Sequence, residues 1–346
     1  MTDVPAKDRN SVMTEMRGTR LPNGSTDFDT VTARHVSDLI ATTGRPLLIY
    51  ASAWDRPHKR AIPVEMSMSL GDKEGWKQII DSLPAGPVDV LLHSPGGELG
   101  AAQSAVRMLR AKFTDVRFIV PLGAKSAATM LALSGNRIAM DSASELGPID
   151  PQFVFRRGDG STTVSPAIAI KRQFERAADE LAHDPKRLTA WMPMLNMYAP
   201  SLLVEADQQL SLSKQVVIEW MRDYMFGSRA DAEAAATAIA DALTDYDTLK
   251  AHSSPVDVDQ ALALGLPVTD LRDPAHAALR SDIWGVAHCV SVILSESNTY
   301  KLFESSAGVI FAEQAVFEAV GPLTPAGSGS PPAPGKNLAI RPRKRR

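Results

Sequence analysis

The sequence predicts an α/β fold with a largely parallel sheet, and three observations carry that prediction. Short aliphatic runs, LLIYA at 47–51, VDVLL at 88–92 and RFIVP at 117–121, have the length and composition of buried strands. The stretches between them place apolar residues at helical spacing. Each strand is followed by a helix rather than a two-residue turn, so neighbouring strands run parallel.

In chain order, residues 1–28 are polar and aperiodic and read as a flexible N-terminal arm. A short helical pattern covers Arg34–Thr43, and Leu47–Ala51 is a strand. Trp76, Ile79, Ile80 and Leu83 follow i, i+3, i+4, i+7 spacing and predict a helix over Gly71–Leu83. Val88–Leu92 is a strand, Glu98–Lys112 a helix, Val116–Pro121 a strand, Ser126–Ser134 a helix and Arg137–Met140 a strand. Phe155–Pro166, with Gly158, Gly160 and a Ser/Thr cluster, predicts an exposed hairpin or loop. Helices follow at Ala167–Leu181, Leu202–Met225, Asp231–Leu243, Val256–Leu264 and Ala275–Leu294. Domain limits are set at 29–271 for the α/β domain, 272–321 for a helical C-terminal extension and 322–346 for a disordered basic tail.

Composition narrows the function. The net charge of −3 gives no general reason for nucleic-acid binding, and the basic run Arg341–Arg346 reads as a solvated tail. The single cysteine, Cys289, cannot form an intramolecular disulfide, which fits a reducing, cytoplasmic setting. No secretory h-region opens the chain, and no apolar run is expected to approach the roughly 18–20 residues of a spanning helix. No metal-ligand set, Walker motif or GxGxxG is present, so no cofactor is expected.

Two turns carry chemistry. Ser94-Pro95-Gly96-Gly97 closes an apolar strand and opens a helix, where glycines let backbone N–H groups approach a ligand closely. Unpaired N–H groups at a helix start suit an oxyanion, and an ordinary turn would use the same residues. Gly123-Ala124-Lys125-Ser126-Ala127-Ala128 is the second turn. Small neighbours leave the Ser126 hydroxyl open, and two readings stand for it: a nucleophile or a plain N-cap. The flanking alanines depart from the Gly-x-Ser-x-Gly elbow. Lys125 reads as solvated or structural, since adjacent side chains on a helix do not face each other.

The strings HSPGG at 93–97, RFIVP at 117–121, AKSAAT at 124–129 and SELGPIDPQ at 144–152 resemble the serine dehydrogenase proteinase family of Clp-fold serine proteases, relatives of signal peptide peptidase A. Weaker similarity runs from Pro46 to Leu271. The resemblance implies a ClpP/crotonase-like fold of repeated ββα units and a serine peptidase that works through an acyl-enzyme. It implies Ser126 as nucleophile and backbone N–H groups of Gly96, Gly97 and Ala127 as oxyanion hole. A peptide or protein substrate and homo-oligomerisation follow from it. Relatives carry an N-terminal membrane segment that the first 28 residues lack, so any membrane association is expected to be peripheral.

The base is less determined. The Clp protease proteolytic subunit places a histidine after its serine, but here no histidine lies between His93 and His183. Lys171, 45 residues after Ser126, matches the order of the Ser-Lys dyad in signal peptide peptidase A relatives. A solvated lysine paired with Glu175 is the alternative. His252 is the rival base, and a surface histidine in a turn would look the same. His93 adjoins the first turn with its direction open, and Asp141, Glu145 and Asp150 are expected to orient a base or order the turn. A non-catalytic Clp-fold scaffold and a crotonase-type acyl-CoA enzyme are the competing functions. The Ser126 motif argues against the latter, whose chemistry needs no serine nucleophile.

Overall fold

The computed structural model describes residues 7–59, 65–156, 162–227, 229–245 and 255–315. Helices α1 (Arg9–Gly18) and α2 (Phe28–Thr43) lead into β1 (Leu47–Ser52), followed by α3 (Lys73–Asp81), β2 (Gly86–His93), α4 (Leu99–Lys112) and β3 (Phe113–Val120). The short strand β4 (Gly123–Ala124) precedes α5 (Ala127–Leu133), β5 (Arg137–Met140) and β6 (Glu145–Leu146). A hairpin of β7 (Gln152–Arg156) and β8 (Thr162–Pro166) leads to α6 (Ala167–His183), α7 (Leu188–Leu195), α8 (Leu202–Trp220) and α9 (Ala232–Thr244). The chain continues through α10 (Val258–Ala263), β9 (Val268–Asp270), α11 (Ala277–Glu296), β10 (Thr299–Ser305) and β11 (Ile310–Gln314).

Seven strands form the central sheet in the order β11-β10-β1-β2-β3-β5-β9. The five from β1 to β9 are parallel, while β10 runs antiparallel to both β1 and β11. Both faces are covered, which is why the central strands read as continuous apolar runs rather than alternating ones. Val88, Val90 and Leu92 of β2 face a core completed by α3, α4, α5 and α9. Leu91 faces a second core built with α1, α2 and α11. Gly44 ends α2 in the left-handed conformation and turns the chain into β1.

Three expectations are corrected. The N-terminal arm contains α1, whose N-cap Asp8 accepts hydrogen bonds from the Asn10 and Ser11 N–H groups, and which buries Val12 and Met16 in the second core. The segment 272–321 is no extension: α11 covers one face of the sheet, and β10 and β11 are two of its strands. A spanning-length helix does exist. Pro274–Glu296 is long and apolar enough by length and composition to cross a membrane, and 61% of its most apolar window is buried inside the fold. Arg280, Asp282 and His288 interrupt its apolar run without lowering its mean hydropathy below that of a spanning helix. The tail 322–346 lies outside the described residues.

Candidate active site at the two turns

The turns predicted from sequence meet at the C-terminal ends of β2 and β3. Ser94 and Ala124 form a parallel bridge, in which the Ser94 N–H donates to Gly123 O and the Lys125 N–H to Ser94 O, both at 3.0 Å. Gly96 and Gly97 have φ of 87° and 149°, conformations that favour glycine. A Cβ on Gly96 would lie 2.8 Å from Ala127 N and 2.9 Å from Ser126 Cβ, and nearer still to Lys125 O. The glycine is thus what lets the two turns touch.

On its other side the first turn is held by Met68. The Met68 N–H donates to Gly96 O at 2.7 Å and the Glu98 N–H to Met68 O at 3.0 Å. In this parallel bridge the N–H of Gly97 points away from the Met68 strand and donates no hydrogen bond to a described residue. The Gly96 N–H is used inside the turn, donating to Ser94 Oγ at 3.2 Å. Ala127 opens α5, so its N–H is one of the unpaired donors of a helix start.

Ser126 has φ 50° and ψ −122° and is the one non-glycine residue with positive φ among those described. It occupies the N-cap position of α5, yet its side chain makes no capping hydrogen bond. The plain-cap reading therefore does not hold. A strained backbone costs about 1–3 kcal/mol, and such residues gather at functional sites.

The SELGPIDPQ string braces the serine turn. The Thr129 hydroxyl donates to Ala124 O at 2.7 Å and accepts from the Gly147 N–H at 2.9 Å. The Ser144 hydroxyl donates to Val120 O at 2.5 Å, and the Glu145 N–H donates to Leu122 O at 2.6 Å. Lys125 runs across Gly147, where an added Cβ would meet its Cδ at 3.0 Å, and pairs with Glu145 at 2.6 Å. It is structural, as its position beside the serine suggested.

Asp141 is bound by Arg280 at 2.7 Å and by Trp284 Nε1 at 2.5 Å. Burial would raise its carboxyl pKa, but the hydrogen bonds from Trp284 and Arg280 outweigh it and hold the pKa below the ordinary value. A depressed folded-state pKa stabilises the fold above the unfolded value, about 3.9, and that stability is lost as pH falls through the folded value. Trp284→Phe removes one of these bonds and is expected to move the acid-unfolding midpoint to higher pH, measured by fluorescence of the remaining tryptophans.

The candidate bases are not gathered at Ser126. Lys171 lies one turn into α6 and forms an ion pair with Asp207 of α8. It makes no hydrogen bond to Ser126, and the expected pairing with Glu175 gives way to Asp207. His252 lies outside the described residues. His93 shares a strand face with Leu91, on the α11 side of the sheet, whereas α5 covers the other side. Its Nε2 is 3.4 Å from Asp55 Oδ1 and its ring lies 5.5 Å from that of Trp54. His288 stacks on Trp284 at 5.1 Å, and burial pushes the Cys289 thiol up to about 12, so no Cys/His pair forms. Among the described residues no three His, Cys, Asp or Glu side chains gather as a metal site.

Sequence reading missed Met68 and the bracing by Thr129. Thr129 lies within AKSAAT and could have been read as part of it. Met68 is distant in sequence and carries no local signal.

Comparison with known proteins gives two kinds of match. An uncharacterized protein of Methanocaldococcus jannaschii is 28% identical over 210 residues, 60% of this chain and 62% of that protein. A second protein of that organism is 30% identical over 93 residues, 27% of this chain and 32% of that protein. The chain thus spans less than two thirds of either relative. Two solved variants of the 1510-N membrane-bound stomatin-specific protease, one with a substrate peptide, overlay with TM-scores of 0.35 at 17% identity. They cover 61% and 60% of this chain and 73% and 77% of their own, and are too distant to fix any residue's role. Residues 59–185 match the family model of the ClpP-like SDH-type serine proteinases. That segment holds both turns, and over it the chain is similar to the ClpP-like SDH-type serine proteinases.

Proposed function

We propose that the protein is a serine peptidase that cleaves peptide bonds through an acyl-enzyme on Ser126. The observation that carries this reading is the positive φ of an uncapped Ser126, set against a turn whose Gly97 N–H donates to no described residue. Gly97 and Ala127 supply the oxyanion donors, and Gly96, with its N–H spent on Ser94, supplies the close approach. Ser126 Oγ attacks the substrate carbonyl and gives its proton to the base. The carbonyl oxygen takes the negative charge, the C–N bond breaks, and the amine leaves with a proton. Water then hydrolyses the ester.

Lys171 is the base in this reading, and it must exchange Asp207 for the serine hydroxyl and become neutral. The fold carries the ClpP/crotonase arrangement of ββα units, and the site works in the cytoplasm on peptide or protein substrates. Homo-oligomers form through the arm of β7, β8, α6 and α7, where Val154, Val164, Phe174, Leu188 and Met192 are exposed. The Lys171–Asp207 pair is also the one observation that favours a second reading, a non-catalytic scaffold.

An activated peptide ester followed by intact-mass spectrometry tests the proposal. Wild type should gain one acyl group on Ser126. Lys171→Ala should slow acylation by roughly 10²-fold or more, the lower end of general-base contributions. The same loss in His252→Ala, with Lys171→Ala unaffected, would transfer the role to His252. No adduct under conditions where the protein is folded would favour the scaffold.

A further inference from the structure

Beneath the first turn lies a line of buried polar groups that neither the family match nor the proposed chemistry uses. Lys301 of β10 and Asp72, just before α3, are 2% and 1% exposed and are ion-paired at 2.5 Å. The Tyr50 hydroxyl of β1 donates to the other Asp72 oxygen at 2.8 Å. The Ser94 hydroxyl neighbours that of Tyr50, and Ser94 Oγ accepts the Gly96 N–H. Tyr50 and Ser94 are both wholly buried. Lys301 and Tyr50 both donate to one carboxylate, and bonds that share an acceptor in a low-dielectric interior hold one another in place.

A second route leaves the same carboxylate. Asp72 accepts the Ser69 N–H at 3.2 Å and the Ser69 hydroxyl at 3.3 Å. The residue before Ser69 is Met68, whose backbone brackets Gly96 and Glu98. The glycine turn is thus tied from the side of its N–H through Ser94 and Tyr50, and from the side of its carbonyl through Met68 and Ser69. Both ties end on Asp72. Burying a charge pair is costly, and hydrophobic residues of similar volume often serve stability as well or better. The cost is intelligible where the pair fixes one geometry.

We propose that Asp72, charge-balanced by Lys301, is the positioning residue of the Ser94–Gly97 turn and acts on it through Tyr50–Ser94 and through Ser69–Met68. The inference rests on the reading of the Gly97 N–H as an oxyanion donor for its catalytic meaning. Its structural content, that this network sets the turn, stands independently. None of these side chains has a part in the proposed acyl transfer. Their effect is on where the Gly97 N–H points when charge develops on the substrate oxygen.

Tyr50→Phe is the informative variant. It removes one hydroxyl and keeps the ring against Trp76 and Phe303, whose centroids lie 5.1 and 4.9 Å away. Ser94→Ala cuts the same tie at its far end and serves as the second variant. Residue-resolved hydrogen exchange on the full chain is the first readout. The Gly96 amide should exchange at least ten-fold faster in either variant, while the Leu91 amide of β2 keeps its protection. The second readout is the rate of fluorophosphonate labelling at Ser126. It should fall about ten-fold or more through the inactivation step, with reversible binding of the probe unchanged, because misaligning an oxyanion donor affects charge development. Ser94→Ala removes the direct acceptor of the Gly96 N–H and marks the upper limit of the effect; unchanged exchange at Gly96 in folded Tyr50→Phe would overturn the proposal, as would a loss confined to probe binding. Faster exchange in a protein whose wild type takes no label would uphold the network's hold on the turn and count against the acyl-enzyme reading instead.

Discussion

Ser126→Ala is expected to abolish peptide turnover, with a loss on the order of 10⁴–10⁶ if the acyl-enzyme is obligatory. The substitution takes away one oxygen at a site where that oxygen makes no capping bond. It is therefore expected to leave the stability of α5 nearly unchanged. An N-cap serine would behave oppositely, losing about 1 kcal/mol of stability on replacement. Urea unfolding beside a turnover assay separates the two: a shifted midpoint with retained turnover would return Ser126 to the role of a cap.

The second large effect is expected at Gly96. An alanine there meets Lys125 O, Ala127 N and Ser126 Cβ while keeping φ at 87°. Neighbouring backbone cannot yield as the end of a flexible side chain does, so the two turns must part. The left-handed backbone alone costs about 1–2 kcal/mol. Displacement of the reacting groups by about 1 Å is enough to cost roughly 10²-fold in rate. Gly44→Ala is the control, since Gly44 also has positive φ, at 66°, but open space where its Cβ would stand. We expect Gly44→Ala to lose only the backbone contribution in urea unfolding, and Gly96→Ala to lose more stability and nearly all acylation. Equal midpoints and equal acylation rates for the two variants would contradict the close approach.

Much of this architecture was legible because its signals are local. The aliphatic runs of β1, β2 and β3, the helical spacing of α3 and the glycines after β2 each announce themselves within a few residues. Arg137–Met140 was bounded as the strand it is. The strands β10 and β11 were not legible. The segment TYKLFES carries two charged residues, Lys301 and Glu304, and fell within the expected helical extension, yet all seven residues of β10 are buried. Lys301 is there because Asp72 balances it, a partner more than two hundred residues away. Helix α1 was missed for a related reason: two apolar residues, Val12 and Met16, hold it, and the surface that receives them comes from α2 and α11.

The candidate site divides in the same way. The two turns could be named from sequence, because tight turns at strand ends demand glycine and small residues. Their contact could not, since it depends on the Ser94–Ala124 bridge and on Met68. Lys171 was selected by its order in a resembling family, and order carries no information about Asp207, which comes from a different helix and captures its ammonium. His93 shows the limit of adjacency. It stands beside the glycine turn in sequence, and strand alternation sends its ring to the opposite face of the sheet.

Fluorophosphonate labelling of the purified protein, wild type beside Ser126→Ala, with peptide mapping of the labelled site, tests the central claim most directly. Labelling confined to Ser126 and absent from the alanine variant is the result this account predicts. A folded wild type that takes no label between pH 6 and pH 10, or takes it elsewhere, would contradict it.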